Sequence, residues 1–242
     1  MSLITPEWPL PAGVRLGWTD RWGGVSEPPF DTFNLAHHVG DLPEAVTENR
    51  ARLLGRMTGA NEIRWLSQVH STRAVNAGTT DNGTEADAAW TREPGLACSV
   101  MTADCLPVFF WQRDGRQLAV AHAGWRGLAN GILAETLASF GSPAEVSCGL
   151  GPAIGSQVFE VGADVVEAFR GWPGAGECFV AREQAGKWLA DLPGLAKHWL
   201  RKAGVGEVFE SGECTFGQSE RYFSFRRDVQ TGRMANVIWL EG

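Results

Sequence analysis

The chain has 242 residues, 44% of them hydrophobic, and this length and composition favour one compact domain spanning residues 1–242. Its formal net charge of -7 argues against a general nucleic-acid-binding protein, because affinity for the phosphate backbone requires a basic face. The sequence has no apolar stretch of membrane-spanning length and no signal-peptide pattern, so we expect a cytoplasmic protein with neither membrane nor nucleic-acid partners.

The first half of the chain predicts one helix and several short strands. Residues 15–41 indicate a strand followed by long loops, a kind of segment that often carries function. A helix is predicted from Pro43 to about Met57, with proline in its first turn and Gly59 as its stop. Short apolar runs bounded by polar residues predict strands at 63–70, 97–101, 106–111, 117–122 and 146–150.

The second half predicts helices alternating with strands. A helix follows residue 127, since four apolar residues fall on one helical face, namely Leu128, Ile132, Leu133 and Leu137. Short helices are expected at 163–169 and 193–203, and strands at 208–209 and 235–240. Long irregular loops between these elements favour an α+β domain, with mixed β-sheet layers flanked by helices, over a regular doubly wound sheet.

Three residues that can bind a metal lie at the edges of apolar runs: His70, Cys105 and His122. Two imidazoles and one thiolate form a zinc site with one position left open, as expected of a catalytic centre. None of the short spacings typical of zinc motifs is present, so the same residues could also be ordinary core residues. The five cysteines are scattered, which favours reduced thiols over a disulfide framework.

His122 is expected at a turn between a strand and a helix. Gly124 and Gly127 would allow close approach to the start of that helix, and Arg126 adds a fork of donors, so the turn is a candidate anion site. A tight turn with a solvated surface arginine is the alternative interpretation. Arg226 and Arg227 form a second local cluster that could hold a phosphate, although paired arginines are often structural.

Several longer motifs identify a family. The segments TDRWGGVS, FNLAHHVGD, QVH, EADA, TADCLPV, HAGWRG, GPAIG with FEV, and FSFRRDVQTGR occur in the order typical of the YfiH-like family and cover essentially the whole chain. Members of this family have been described both as laccase-type polyphenol oxidases and as zinc-dependent purine nucleoside phosphorylases that also deaminate adenosine. The resemblance therefore implies the YfiH-like fold, a purine nucleoside with phosphate as co-substrate, and one zinc held by His70, Cys105 and His122.

The resemblance also points to polar positions that could bind phosphate, ribose or base, and these are Arg126, Asn34, His38, Asp87 and Glu160. In the motif around residues 33–41 the family histidine is His38, whereas His37 is a variable position. The chain lacks the H-x-E and P-C-x-x-C elements of the well-known zinc deaminases, so deamination would need a different scaffold. We expect a monomer or weak homo-oligomer.

Three alternative functions remain open from the sequence. A copper-dependent polyphenol oxidase would need more histidines than the five present, although copper could replace zinc at the same donors. A metal-independent hydrolase would use Cys105 as nucleophile and His122 as its base. A binding protein would use the tryptophan-rich loops, without metal or turnover.

Overall fold

A computed structural model describes residues 3–172 and 174–242. Its strands are β1 (Leu3–Ile4), β2 (Val14–Thr19), β3 (Glu62–Arg64), β4 (Leu66–Ser67), β5 (Ala74–Asn76), β6 (Thr84–Glu85), β7 (Ala88–Thr91), β8 (Leu96–Thr102), β9 (Leu106–Gln112), β10 (Leu118–Ala123), β11 (Val146–Leu150), β12 (Glu160–Gly162), β13 (Phe179–Ala181), β14 (Lys187–Ala190), β15 (Glu207–Glu210) and β16 (Met234–Leu240). Its α-helices are α1 (Pro43–Leu54), α2 (Trp125–Asn130), α3 (Ile132–Ala138), α4 (Ala163–Ala168), α5 (Leu192–Lys202) and α6 (Phe225–Asp228).

Two larger sheets organise the molecule. One has five strands in the order β1-β2-β16-β8-β3, and the other has six in the order β15-β11-β9-β10-β7-β5. Most neighbours are antiparallel, but β3 runs parallel to β8, β5 to β7 and β15 to β11. Smaller sheets, β12-β14-β13 and β4-β6, flank them. These mixed sheets with their helices confirm the predicted α+β class.

The two larger sheets pack face to face through one apolar core. Cys98 of β8 and Ile238 of β16 belong to the same buried cluster as Phe109 and Trp111 of β9. Because successive side chains of a strand point to opposite faces, the intervening residues of each strand must be covered by other elements.

Helices cover the outer faces of both sheets. Val108 and Phe110 of β9 pack with Leu133 of α3 and with residues of α5, whereas Met101 of β8 packs in a cluster with Leu53 of α1. A sheet buried on both faces needs apolar residues at nearly every position of its central strands. This explains the unbroken apolar run of β9, which the sequence alone could not distinguish from a buried helical segment.

The predicted helix boundaries were partly wrong. α1 ends at Leu54, not Met57, because the amides of Arg56 and Met57 bond three residues back, to Leu53 and Leu54, in tight turns. Gly55, not Gly59, caps it.

The helix predicted after residue 127 is also interrupted. Gly131, with φ of 106°, ends α2 and begins α3. The left-handed conformation at this position suits glycine, which has no Cβ. The predicted apolar face survives the break, since its four residues are all buried, as in Leu128 and Ile132. In the described ranges, no helix has both the length and the apolar character needed to cross a bilayer.

Candidate metal centre and substrate cavity

The three predicted metal ligands converge at one end of the six-stranded sheet. Cys105 directly precedes β9, and His122 lies in β10, which runs antiparallel to β9 with His122 opposite Pro107. This register places the start of β9 beside the end of β10, so the two ligands meet. His70 comes from the loop after β4, and the centroid of its ring is 4.7 Å from that of His122.

The spacing of the donor atoms fits a metal ion. The candidate donors of His70, Cys105 and His122 all lie within 4.8 Å of one another, and Cys105 Sγ is 3.8 Å from His70 Nε2. Ordinary Zn–S and Zn–N bonds in a tetrahedral site place a sulfur and a nitrogen ligand about 3.6 Å apart. The donor set therefore suits zinc with little rearrangement, and three protein ligands leave a fourth position open.

Asp87 holds two of these ligands in place. Its Oδ1 lies 2.8 Å from His122 Nδ1, so the Nε2 atom of that ring is the nitrogen available to a metal. The carboxylate also accepts hydrogen bonds from the amides of Val69, His70 and Ser71, at 3.2, 3.0 and 2.6 Å. A carboxylate behind a ligating histidine fixes the ring and increases its basicity.

The loop that carries His70 departs from the predicted strand 63–70. β4 stops at Ser67, and His70 has φ of 59°, which is uncommon for a residue with a Cβ. The amides of this loop bond to the Asp87 carboxylate and therefore do not join a β-ladder. Strained backbone that is held by surrounding bonds is a common feature of functional sites.

Cys105, His122 and Asp87 change one another's acidity. Burial opposes ionisation of Cys105, but the charge and hydrogen bond of His122, together with His70, outweigh burial and lower the thiol pKa to about 6. Burial likewise opposes protonation of His122, but Cys105 and Asp87 raise its pKa to about 9. Burial would raise the pKa of Asp87, yet its bonds to His122 and Ser71 lower it. The site therefore favours a thiolate, the form of cysteine that binds a metal or acts as a nucleophile.

Gly124 allows the turn after β10 to lie directly against the candidate metal ligands. A Cβ at this position would be 2.9 Å from His70 Cδ2 and 3.0 Å from Cys105 Sγ, closer than such atoms normally approach. The sequence predicted that this glycine admits an anion to the helix start, but the groups that approach it here are the side chains of His70 and Cys105. At Gly127 a Cβ would lie 3.3 Å from the carbonyl oxygen of Ser71, a tight contact that one small shift could relieve.

The three ligands face a cavity of about 390 Å³, a volume suited to a small molecule. Trp125 and Arg126, from the turn after β10, lie beside the ligands in its wall. The other lining residues are His38, Gln68, Met101, Thr102, Ala103, Asp104, Ile154, Phe159, Leu192, Phe225, Arg226 and Arg233. The wall thus combines apolar and aromatic side chains with a few polar and charged groups.

The three arginines of the cavity have no carboxylate at ion-pair distance in the described part of the chain. The guanidinium of Arg126 stacks over the ring of Trp125 at 4.3 Å. Arg226 Nη1 donates to the carbonyl of Glu160 at 2.8 Å, and Arg233 Nη1 donates to two backbone carbonyls. Their positive charges are therefore available to an anionic ligand, for which guanidinium is a strong partner.

The polar motif positions are distributed unevenly around this cavity. His38 lines it, and burial together with Arg233 and Arg50 lowers the pKa of His38, which favours the neutral ring. Asp87 lies behind His122 and is fully buried.

Asn34 and Glu160 do not line the cavity. Asn34 is buried, and its side chain bonds to the backbone of Ala36 and the carboxylate of Asp41. The carboxylate of Glu160 lies 3.7 Å from both Arg182 and Lys187, and its carbonyl is the group that accepts from Arg226. Both residues therefore contact elements around the cavity without reaching into it.

Asp104 and Arg233 were not predicted as site residues. Asp104 directly precedes Cys105 within TADCLPV, and Arg233 ends the motif FSFRRDVQTGR, so both lay inside recognised segments. The partners of the Asp104 carboxylate are Thr215, Ser224 and Arg226, more than 100 residues away, and no local spacing reveals such contacts.

Comparisons with known proteins agree on one family, whose model and members carry the names of two different enzymes. The family model described as multi-copper polyphenol oxidoreductase laccase matches residues 15–241. Relatives include a purine nucleoside phosphorylase of Pseudomonas aeruginosa, 47% identical with 98% of each chain covered, and the purine nucleoside phosphorylase YfiH of Escherichia coli, 45% identical with 99% of each covered. The crystal structure of a DUF152 protein of Neisseria meningitidis superimposes with a TM-score of 0.95 at 46% identity, covering 99% of both chains.

Fold and site together define an α+β protein with a candidate three-ligand metal centre that opens into a ligand-sized cavity. The chain belongs to the YfiH-like (DUF152) family, which confirms the resemblance predicted from its motifs. The names given to its family model and to these relatives are names of enzymes.

Proposed function

We propose that this chain is a zinc-dependent purine nucleoside phosphorylase. Its substrates would be adenosine, inosine or S-methyl-5'-thioadenosine together with phosphate, and its products a free base and the corresponding ribose 1-phosphate. The observation that carries the proposal is that the candidate three-ligand centre lines one cavity together with three arginines that have no carboxylate partner among the described residues. The names of its relatives, which are purine nucleoside phosphorylases, support the same reaction.

Phosphorolysis makes particular demands on a protein. Positive charge develops at the anomeric carbon of the ribose, so the site must hold an anionic nucleophile against one face of the sugar and stabilise the departing purine. These demands are met mainly by positioning and electrostatic stabilisation. A cavity that contains both guanidinium groups and aromatic walls suits them.

Arg126 is our principal candidate for binding phosphate. It follows His122 by four residues and shares the wall of the cavity with the ligands, so an anion bound to it would lie near the metal centre. Its stacking on Trp125 restricts the guanidinium without neutralising its charge.

The nucleoside would occupy the aromatic part of the cavity. Phe159, Phe225 and Trp125 offer flat apolar surfaces to the base, and a neutral His38 can both donate and accept a hydrogen bond. We assign Asp87 to orienting His122 and not to direct contact with substrate. Asn34 and Glu160 would act similarly, by supporting neighbouring elements.

When bound by His70, Cys105 and His122, zinc would supply a Lewis acid with one open position, suited to orienting phosphate or to activating water for adenosine deamination. The protein's own contribution is to hold the three donors and to keep Cys105 as a thiolate. A site with nitrogen and sulfur donors generally binds copper more tightly than zinc. The metal bound to the protein must therefore be identified in each assay.

The proposal is tested by product analysis of the zinc-loaded protein with each nucleoside, with and without phosphate. We expect free base and a ribose 1-phosphate to form in equal amounts and only when phosphate is present, with inosine and ammonia appearing from adenosine if deamination also occurs. Base release that yields free ribose and ignores phosphate would instead indicate a hydrolase. Oxidation of phenols without any reaction of nucleosides would indicate a polyphenol oxidase.

The role of Arg126 has a separate test. Arg126→Gln should raise the apparent phosphate constant about tenfold or more, because a charge-assisted hydrogen bond to the anion is lost, while nucleoside binding changes less. Initial rates measured over a range of phosphate concentrations give this constant. Arg116→Gln, at an exposed arginine outside the cavity, is the control and should leave it unchanged. A damaged nucleoside constant with an unchanged phosphate constant would reassign Arg126 to ribose or base.

A further inference from the structure

Arg226 is held in the cavity wall by three contacts. Its backbone amide donates to Asp104 Oδ2 at 2.6 Å, its Nη1 donates to the carbonyl of Glu160 at 2.8 Å, and its guanidinium lies over the ring of Phe159 at 5.4 Å. None of these contacts neutralises the charge of the side chain, which has no carboxylate at ion-pair distance among the described residues. The guanidinium is therefore both oriented and available.

The next arginine in the chain is held in a different way. Arg227 donates to the backbone carbonyls of Thr215, Phe216 and Tyr222 and forms an ion pair with Asp228. It does not line the cavity. The sequence did not distinguish these two adjacent arginines. In the structure, Arg227 stabilises the local backbone, whereas Arg226 lines the cavity.

Asp104 links Arg226 to the metal centre. It is buried, it directly precedes Cys105, and its φ of 91° is in the left-handed region that a residue with a Cβ seldom adopts. Its carboxylate accepts from Thr215 Oγ1 at 2.6 Å and from Ser224 Oγ at 3.0 Å, in addition to the amide of Arg226. One side chain thereby fixes the start of α6 relative to a metal ligand.

We propose that Arg226 is a second phosphate-binding residue beside Arg126, and that Asp104 is the positioning residue that presents it. This inference rests on the proposed function for the identity of the anion. Asp104 makes no contact with the phosphate. Its carboxylate instead holds the backbone of Arg226 close to the chain segment that carries Cys105. Loss of either residue should therefore weaken the same interaction.

Calorimetric titration of the zinc-loaded protein with inorganic phosphate, in the absence of nucleoside, tests the inference. Arg226→Gln and Asp104→Asn should each weaken phosphate binding about tenfold, the size expected for loss or misplacement of one charge-assisted hydrogen bond. The double variant should bind phosphate no more weakly than Arg226→Gln alone, because residues that act through one interaction have non-additive effects. Zinc content should match the parent in all three.

Two variants serve as matched controls. Arg170→Gln removes an exposed arginine outside the cavity, and Asp20→Asn changes an aspartate whose 8% exposure equals that of Asp104. Both should leave phosphate affinity unchanged even if Asp20→Asn lowers thermal stability.

Additive effects in the double variant, or unchanged phosphate binding in Arg226→Gln, would overturn the inference. Phosphate binding with this pattern in a protein that releases no base would refute the proposed reaction and leave the two assignments standing.

Discussion

At the scale of single residues, Cys105 has the properties that a zinc ligand needs. Its sulfur lies near two imidazoles, and those neighbours bring its pKa to about 6 in spite of burial. The buried thiols of Cys98 and Cys148 are opposite cases, since burial without such neighbours raises the pKa of each well above its ordinary value. The residue type alone does not distinguish these cysteines, but their surroundings do.

Cys105→Ala should therefore abolish stoichiometric zinc binding, because only two imidazoles would remain to hold the ion. We expect about one zinc per chain in the parent protein and close to none in the variant, measured by elemental analysis after exhaustive dialysis. Cys214→Ala, at another half-buried cysteine, is the control and should retain the metal. A Cys105→Ala protein that keeps a full equivalent of zinc would remove Cys105 from the ligand set.

Asp87→Asn should weaken zinc affinity about 10- to 100-fold, as is typical when the carboxylate behind a ligating histidine is lost. The variant also loses the charge that the amides of His70 and Ser71 bond to, so the loop carrying His70 should become less ordered. Competition with a chromogenic chelator measures the affinity. Asp114→Asn, at an exposed aspartate, should behave as the parent does. Unchanged affinity in Asp87→Asn would show that this carboxylate does not support the metal site.

At the scale of elements, the pairing of β9 with β10 brings two candidate ligands together, and the turn into α2 packs against one of them. The register that places His122 opposite Pro107 also places Cys105 at the same end of the sheet. The turn can lie this close because residue 124 has no side chain. The segment from β9 through α2 thus positions the ligands and Arg126 together.

Gly124→Ala should therefore disturb the metal site without unfolding the protein. The added methyl would press on His70 and Cys105, so we expect zinc affinity to fall at least tenfold while the melting temperature changes by only a few degrees. Gly141→Ala is the matched control, since a Cβ there meets nothing within 4 Å. Normal zinc affinity in Gly124→Ala would mean that the turn can shift away, and that its close approach is not needed.

At the scale of the whole molecule, the sequence predicted the fold class and three side chains that the structure brings together, whereas their role as metal ligands stays a prediction. Strands such as 106–111 were predicted because both of their faces are buried, and His70, Cys105 and His122 were singled out because each lies at the edge of an apolar run within a recognised motif. The boundary at Leu54 and the break at Gly131 were missed because tight turns and left-handed backbone decide them.

The residues around the ligands were harder to predict. A polar residue in a motif can line the cavity, as His38 does, or bond to the backbone of a loop outside the cavity, as Asn34 does. The sequence pattern does not distinguish these two cases. Asp104 was overlooked because the three partners of its carboxylate come from a distant part of the chain. The single-domain organisation, the cytoplasmic location and the oligomeric state stay predictions.

Removal and return of zinc tests whether the proposed metal is required for turnover. The protein is treated with a chelator under reducing conditions, and phosphate-dependent base release from adenosine or inosine is measured before treatment, after it, and after addition of one equivalent of zinc. We predict that activity is lost with the metal and recovered with it, because the open position at His70, Cys105 and His122 is required. A zinc-free, fully reduced protein that turns over nucleoside at the original rate would contradict the account, and would favour a Cys105 nucleophile with His122 as its base.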